Sequence, residues 1–209
     1  GELAVKGPDL PAALGRLGLL PPSAASLQTL APPALRAFDA RAEFSGDLQS
    51  GAFALGSLQV DALGFRVDGK LEAARSDKAG LRYDGKLEVV GHTPGPLLGA
   101  LTGQPLAGRA RTLGLDVAFK GQDDALALAP LALRGVLPGA NEQEIALSAT
   151  AEGAELALTR KTLAVPKLAF AVGALRGSGS LELVAEDDKT RASGQLNVPP
   201  FDLRALFAS

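Results

Sequence analysis

The stretch FRVDGKLEA, residues 65–73, decides the fold of this chain. Apolar and charged side chains alternate along most of it. In an extended strand, successive side chains point to opposite faces, so this pattern predicts a β-strand with one apolar face and one charged face. The apolar set is Phe65, Val67, Leu71 and Ala73, and the charged set is Arg66, Asp68, Lys70 and Glu72.

The same alternation recurs along much of the 209-residue chain. Short segments rich in Gly, Asp, Ser and Pro separate the alternating runs, as the turns between successive antiparallel strands require. The chain is therefore predicted to be mainly β, folded as a long antiparallel meander. The clearest further runs are FDARAEF at 38–44, LRYDGKLEV at 81–89, LGLDVAF at 113–119, EIALSATA at 144–151 and SLELV at 180–184.

Only a few short stretches have apolar residues at helical spacing. PDLPAALGRLGLL at 8–20 offers Asp9 as an N-cap and a proline in the first turn, where its missing N–H costs little. TPGPLLGALTG at 93–103 offers Thr93 as an N-cap. Residues 22–30 are a weaker helix candidate, and residues 201–209 are predicted to be a helix that is cut short.

The phrase Gly-x-Leu-x-Val occurs three times, beginning at Gly1, Gly85 and Gly194, and each copy is followed by a segment that contains proline. The phrase FSGD at 44–47 is similarly echoed by FKGQD at 119–123. Such self-similarity predicts two repeats and the start of a third that is cut short. The absence of Met from the sequence fits an excised segment. The predicted units are residues 1–84, 85–193 and 194–209.

Helices of about ten residues cannot cover the apolar face of a sheet of about eleven strands. Two folds therefore remain open at this point. The sheet could stay open as a curved, elongated trough with an apolar face and a few short helices, or it could close on itself as a β-sandwich. In the open case, a lining of mainly Ala, Gly, Leu and Val leaves room for a ligand.

The inward residues of the trough are candidates for contact with a hydrophobic ligand. In the sandwich, the same alternation would place these residues in a dry core. The candidate lining residues are Phe38, Phe44, Phe65, Leu71, Leu87, Phe119, Leu147, Phe170, Leu181 and Leu196.

Composition argues against several classes of function. The net charge is -2, with both signs interspersed, no Trp and one Tyr, so the chain lacks the basic stripe and aromatic platforms of nucleic-acid-binding proteins. His92 is the only histidine and there is no cysteine, so we expect no transition-metal site and no cofactor. No nucleophile, base and orienting group can be named together, so we expect no catalytic residues and no enzymatic activity.

The charged clusters are better explained as structural features. QDD at 122–124 and EDDK at 186–189 lack the ligand spacing of an EF-hand loop and are interpreted as hairpin turns. For TRKTLAVPK at 159–167, a charged edge that discourages strand addition is favoured over a contact with anionic lipid head groups. The cationic residues of this last stretch are Arg160, Lys161 and Lys167.

No run of about 18 apolar residues occurs, and the start of the sequence shows no signal-peptide pattern. This segment is therefore expected not to span a bilayer. Any membrane contact of a full-length protein is expected to come through parts that lie outside this segment.

Two phrases resemble the AsmA family of Gram-negative envelope proteins. VPPFDLRALF at 198–207 matches the family's helix-start motif, and VKGPDLPAALGRLGL at 5–19 matches it more loosely. SLQVDALGFRVDGKLEAARSD at 57–77 is similar to the family's strand pair, in which a short turn precedes a Gly-x-Leu strand. TPGPLLGAL at 93–101 departs from the pattern, because it lacks both the Phe and the Asp-Leu-Arg triplet.

The resemblance implies a periplasmic segment of a protein anchored in the inner membrane. It implies an elongated hydrophobic β-groove that binds or conducts phospholipid, or another acyl lipid, for outer-membrane assembly and lipid homeostasis. It also selects the open trough. The alternative is a non-catalytic structural or interaction β-module that docks other proteins of the cell envelope.

Overall fold

The computed structural model describes residues 1–10, 12, 36–47, 51–76, 80–102, 107–139, 143–186 and 189–200. The helix candidates at 22–30 and 201–209 lie outside these ranges, as does most of the candidate at 8–20. The described elements are twelve strands and one α-helix. They are β1 (Glu2–Gly7), β2 (Phe38–Asp47), β3 (Ala52–Ala62), β4 (Phe65–Ser76), β5 (Gly80–Gly91), α1 (Gly95–Thr102), β6 (Thr112–Gln122), β7 (Ala125–Pro138), β8 (Glu144–Glu152), β9 (Ala154–Ala157), β10 (Thr162–Val172), β11 (Leu175–Glu186) and β12 (Lys189–Asn197).

All twelve strands belong to one antiparallel sheet, in which spatial order follows sequence order from β1 to β12. The short strand β9 continues the position of β8 and pairs with both β7 and β10. The first and last strands, β1 and β12, each pair with one described strand, so the sheet is open. The mainly β, open meander predicted from the sequence is therefore confirmed. The closed β-sandwich is wrong, since the described strands form one sheet and not two.

One face of this sheet is apolar from edge to edge. Directly opposed residues in antiparallel strands share a face, and the register of the strands joins eleven apolar residues in a single row across the sheet. Ten strand spacings of about 4.8 Å make the row about 48 Å long. The row is Leu3, Ala42, Leu58, Gly69, Leu87, Val117, Leu131, Ala151, Leu168, Gly179 and Leu196.

Three strands carry a β-bulge beside this row. The register shifts between Leu55 and Leu58 in β3, between Leu128 and Leu131 in β7, and across Val165 and Leu168 in β10. A bulge bends its strand and increases the local twist. Because the three bulges lie at one level of the sheet, they bend it along one line, which we call the crease.

The opposite face, the polar face, carries the charged residues of the alternating runs. Lys6 Nζ lies 2.7 Å from Asp39 Oδ2, and Lys120 Nζ lies 3.5 Å from Asp84 Oδ2, in both cases across neighbouring strands. Exposed ion pairs of this kind contribute about 0–1 kcal/mol each. The polar face is thus a solvated surface that carries several ion pairs between neighbouring strands.

The N-cap of helix α1 lies one residue later than predicted. The Leu98 N–H donates to the Pro94 carbonyl at 2.9 Å, so Pro94 and not Thr93 occupies the N-cap, and the described helix spans Gly95–Thr102. Gly95 and Gly99 face Gly108, and a methyl group on Gly99 would lie 2.6 Å from the Gly108 α-carbon. Only glycine permits this close approach.

The start of the predicted helix at 8–20 is described. Leu10 and Ala12 are helical, and the Ala12 N–H donates to Asp9 Oδ1 at 2.8 Å. Asp9 therefore caps a helix start, as its position in the sequence predicts.

Candidate functional site

The apolar face contains all ten predicted lining residues. Each belongs to the row described above or is connected to it by register along the same strand. None of the ten is buried: eight are half-buried, while Phe44 and Leu196 are 43% and 67% exposed. A dry core would have buried them. Their contact with a lipid stays a prediction.

Five of the six described phenylalanines lie so close to a glycine of the paired segment that a methyl group on the glycine would be 2.8 Å or less from the ring. The Phe119 ring lies over Gly85, its direct partner in the sheet. Such rings occupy the space that a side chain on the partner would need and cover the exposed glycine backbone. The aromatic rings thus lie along the sheet instead of standing up from it. Together they form a flat apolar surface, which we call the low floor. The pairs are Phe44 with Gly1, Phe38 with Gly7, Phe119 with Gly85, Phe65 with Gly91 and Phe170 with Gly177.

The centre of the apolar face is its most buried part, and sequence reasoning missed it. A buried cluster is formed by Leu126, Leu128, Ala154 and Val165, and Ala154 is only 1% exposed. The strict alternation of ALALAP at 125–130 was the signal that could have found the two leucines. The cluster lies at the crease, where β7, β9 and β10 meet.

No second layer explains this burial among the described elements. Their main tertiary contacts run between neighbouring strands of the sheet and around the short 3-10 turn Ala107–Arg109, which packs on α1. Neighbours on the same face must therefore provide the contacts that bury Leu128 and Val165. Side chains crowd together in this way on the concave side of a bent sheet, so the apolar face is the inner face at the crease.

Exposed apolar side chains continue to both edges of the sheet. Leu3 and Val5 of β1 are 56% and 43% exposed. At the other edge, every residue of β12 from Thr190 to Asn197 is exposed. Large apolar patches on a protein surface mark sites of interaction with another molecule.

A depression of about 630 Å³ lies mainly on the polar face. It is mixed in charge and is lined by none of the ten predicted residues. Lys120 and Asp84 within it pair with each other. It shows no convergent set of groups for a particular ligand, and we assign the candidate site to the apolar face. Its charged lining residues are Asp47, Glu72, Arg82, Asp84 and Lys120.

The acidic stretch QDD forms the β6–β7 turn, as predicted, but its carboxylates are not simply solvated. Asp123 Oδ1 accepts a hydrogen bond from the Leu81 N–H at 2.8 Å, and Asp124 Oδ1 accepts one from the Thr159 N–H. Hydrogen bonds from Thr159 hold the pKa of Asp124 below its usual value of 3.8. The two aspartates therefore tie this turn to the start of β5 on one side and to the turn after β9 on the other.

The basic stretch at 159–167 is divided between two places. Arg160 and Lys161 lie in the turn after β9, whereas Lys167 lies within β10 and its Nζ is 3.9 Å from Glu152 Oε2. The three cations do not form one basic site. The other acidic stretch, EDDK, lies partly outside the described residues.

His92 is exposed in the bend between β5 and α1. Within the described ranges, no three His, Cys, Asp or Glu residues are grouped so that they could hold a metal ion. No described helix is long and apolar enough to cross a membrane.

No family model, no curated protein and no solved structure matches this chain. The AsmA resemblance therefore stays an expectation, together with the location and the lipid function that it implies.

Proposed function

We propose that this chain is a periplasmic segment of an AsmA-like envelope protein and that it binds or conducts phospholipid, or another acyl lipid, along its apolar face. The role would lie in outer-membrane assembly and lipid homeostasis, in a full-length protein anchored in the inner membrane. The single observation that carries the proposal is the apolar row from Leu3 to Leu196, which no described element covers.

The energetics favour an apolar ligand on this face. Burying a methylene group against an apolar surface stabilises a complex by about 0.8 kcal/mol. An acyl chain lying along the row would bury its own methylenes and, at the same time, exposed groups of the protein such as Phe44. The low floor formed by the flat phenylalanine rings supports this arrangement, because no large side chain needs to move aside.

A binding function fits the charged residues better than a catalytic one. On the polar face, cations and carboxylates pair with each other, as Arg111 and Glu144 do at 2.9 Å. We therefore propose no enzymatic activity, no cofactor and no nucleic-acid partner.

The alternative is a structural or interaction module of the cell envelope. The two open edges of the sheet favour it, since unpaired edge strands are templates for pairing with another chain. In this case the apolar face would be covered by protein and would carry no lipid.

Analysis of co-purifying lipid tests the proposal. The protein is expressed in the periplasm of a Gram-negative host, purified without detergent and extracted with organic solvent, and the extract is analysed by mass spectrometry. We expect phospholipid in the extract and displacement of a fluorescent fatty acid by added phospholipid. Lipid-free preparations that also fail to bind the fluorescent fatty acid would rule out the lipid function for this segment.

A further inference from the structure

The sheet pairs the Gly-x-Leu-x-Val phrase with its next strand in the same way twice. In the β5–β6 pair, Gly85, Leu87 and Val89 lie opposite Phe119, Val117 and Leu115. In the β1–β2 pair, Leu3 and Val5 lie opposite Ala42 and Ala40, and the Gly1 carbonyl accepts a hydrogen bond from the Phe44 N–H at 2.9 Å.

A phenylalanine lies against the glycine of the phrase in both pairs. A methyl group on Gly1 would lie 2.8 Å from Phe44 Cζ, and one on Gly85 would overlap the Phe119 ring. In both partner strands, five residues end in Phe, with small or aliphatic residues at the first and third positions and a charged residue at the second. This order is Ala40 to Phe44 in β2 and Leu115 to Phe119 in β6.

The third copy of the phrase has its inner neighbour but no described outer one. Gly194 and Leu196 of β12 pair with Leu181 and Gly179 of β11. The nearest atoms to Gly194 on its side-chain side belong to the β11 backbone and not to an aromatic ring. Leu196 is 67% exposed and Val198 is 43% exposed.

The hairpin that leads to β12 also repeats the one that leads to β5. The β3–β4 pair and the β10–β11 pair each place a bulge in the first strand, between Leu55 and Leu58 and across Val165 and Leu168. The Arg75 N–H donates to the Gly51 carbonyl at 3.3 Å, as the Ala185 N–H does to the Lys161 carbonyl at 3.0 Å. The strands that precede β5 and β12 therefore have the same local structure, so β12 presents its outer edge in the same way as β5 presents the edge that pairs with β6.

We infer that the outer edge of β12 is a docking edge for an antiparallel strand of the β2 and β6 type, with a phenylalanine seated over Gly194. Small or aliphatic residues of this strand would lie opposite Leu196 and Val198 and would extend the apolar face by one strand. Gln195 and Asn197 lie on the polar face of β12 and carry no charge. They are therefore compatible with either a positive or a negative side chain on the docking strand. The inference rests on strand pairing and stands independently of a lipid on the face.

A peptide with the β2 sequence, residues 38–47 (FDARAEFSGD), is the probe. We expect it to bind the folded protein at millimolar concentration and to slow amide hydrogen exchange in β12. Replacing the peptide residue that corresponds to Phe44 by Ala should weaken binding about tenfold, because the ring contact with Gly194 is lost.

Matched protein variants locate the peptide. Leu196→Lys should abolish binding, since a lysine on the inner face of an edge strand opposes strand addition. Leu3→Lys, the equivalent change on β1, should leave peptide binding unchanged. Circular dichroism checks that both variants keep the β-sheet.

Three results would overturn the inference. The first is no binding of the peptide, and the second is binding that is equal for the Phe and Ala peptides or lost in Leu3→Lys instead of Leu196→Lys. The third is a dimer of this chain that protects β12 without any peptide and is broken by Leu196→Lys, because a second copy would then occupy the edge.

Discussion

Phe119 and Gly85 face each other across β5 and β6, and the phenylalanine ring fills the space in which a side chain on residue 85 would stand. The carbonyl oxygen of Lys70 would lie 2.8 Å from a β-carbon on residue 85. Residue 85 must therefore be glycine, because the Phe119 ring and the Lys70 carbonyl leave no room for a side chain.

We predict that Gly85→Ala destabilises the protein by about 1–3 kcal/mol, because the ring must leave its place or the strands must separate. Urea unfolding monitored by circular dichroism measures the effect. Gly114→Ala is the control, since the nearest atom to the new methyl group would be 3.9 Å away and the change should be nearly neutral. Equal destabilisation by the two substitutions would contradict the role of Phe119.

Substitutions at Leu147 and Ser148, which are neighbours in β8, compare the two faces of the sheet as sites of lipid binding. Leu147 lies on the apolar face, and Ser148 lies on the polar face opposite Arg134 and Ala171. Leu147→Asp should remove co-purifying lipid and cost about 1–3 kcal/mol of stability, since a half-buried carboxylate loses hydration. Ser148→Asp should keep the lipid and change stability by less than about 0.5 kcal/mol.

Lipid is quantified per mole of folded protein, so that a loss of stability is not mistaken for a loss of binding. Wild-type lipid content in Leu147→Asp would show that the apolar face is not where lipid binds.

The bulge in β3 predicts an unusual response to deletion. Removing Gly56 would leave Leu55 and Leu58 two positions apart, which matches their partners Leu71 and Gly69 in β4. Both leucines would stay on the apolar face, and the free energy of unfolding should change by about 1 kcal/mol or less. Removal of the bend should change the distance between spin labels at Glu2 and Gln195, measured by electron paramagnetic resonance.

Deletion of Lys70 from the regular strand β4 is the contrast. It shifts Phe65 and Val67, which are half-buried, to the polar face, and exposing each costs at most about 1.5–3 kcal/mol. We expect this variant to unfold or aggregate. A stable Lys70 deletion would mean that the register of β4 is not held by burial.

Asp39 and Lys6 predict a pH dependence at the first edge of the sheet. The hydrogen bond from Lys6, together with the charges of Lys6 and Arg41, holds the pKa of Asp39 below its usual value of 3.8. A carboxylate with a lowered pKa stabilises the fold above the unfolded value, and this contribution is lost as the pH falls through the folded value.

Amide exchange in β1 should therefore accelerate, relative to β5, when the pH falls below about 3.8. The comparison with β5 corrects for the intrinsic effect of pH on exchange. In Lys6→Gln the additional acceleration should be smaller, and an unchanged profile in this variant would show that Lys6 does not hold Asp39.

Much of the candidate site could be predicted from the sequence, because alternation is a local property of an extended chain. Phe65 and Leu71 share a face of β4 whatever the rest of the chain does. The pattern fails at the bulges: Leu128 and Leu131 are three positions apart, a spacing typical of a helix, yet both lie on the apolar face. Nothing in the sequence between them shows that a strand continues through Pro130.

Other relationships depend on contacts between distant residues and could not be predicted. The sequence predicts a hairpin turn at QDD but not that Asp123 Oδ1 accepts a hydrogen bond from the Leu81 N–H at the start of β5. The cations at 159–167 are close in sequence, yet the fold separates Arg160 from Lys167.

The sequence by itself determined that the chain is mainly β and which side chains share a face, since a period of two follows from the geometry of one strand. Only the tertiary structure decided that the twelve strands form a single open sheet, that its apolar residues join in one row and that the bulges lie along one crease. These features depend on register between strands far apart in the chain, such as the pairing of Leu3 with Ala42. Register is a property of pairs of strands, and the pattern within any one strand is compatible with several partners.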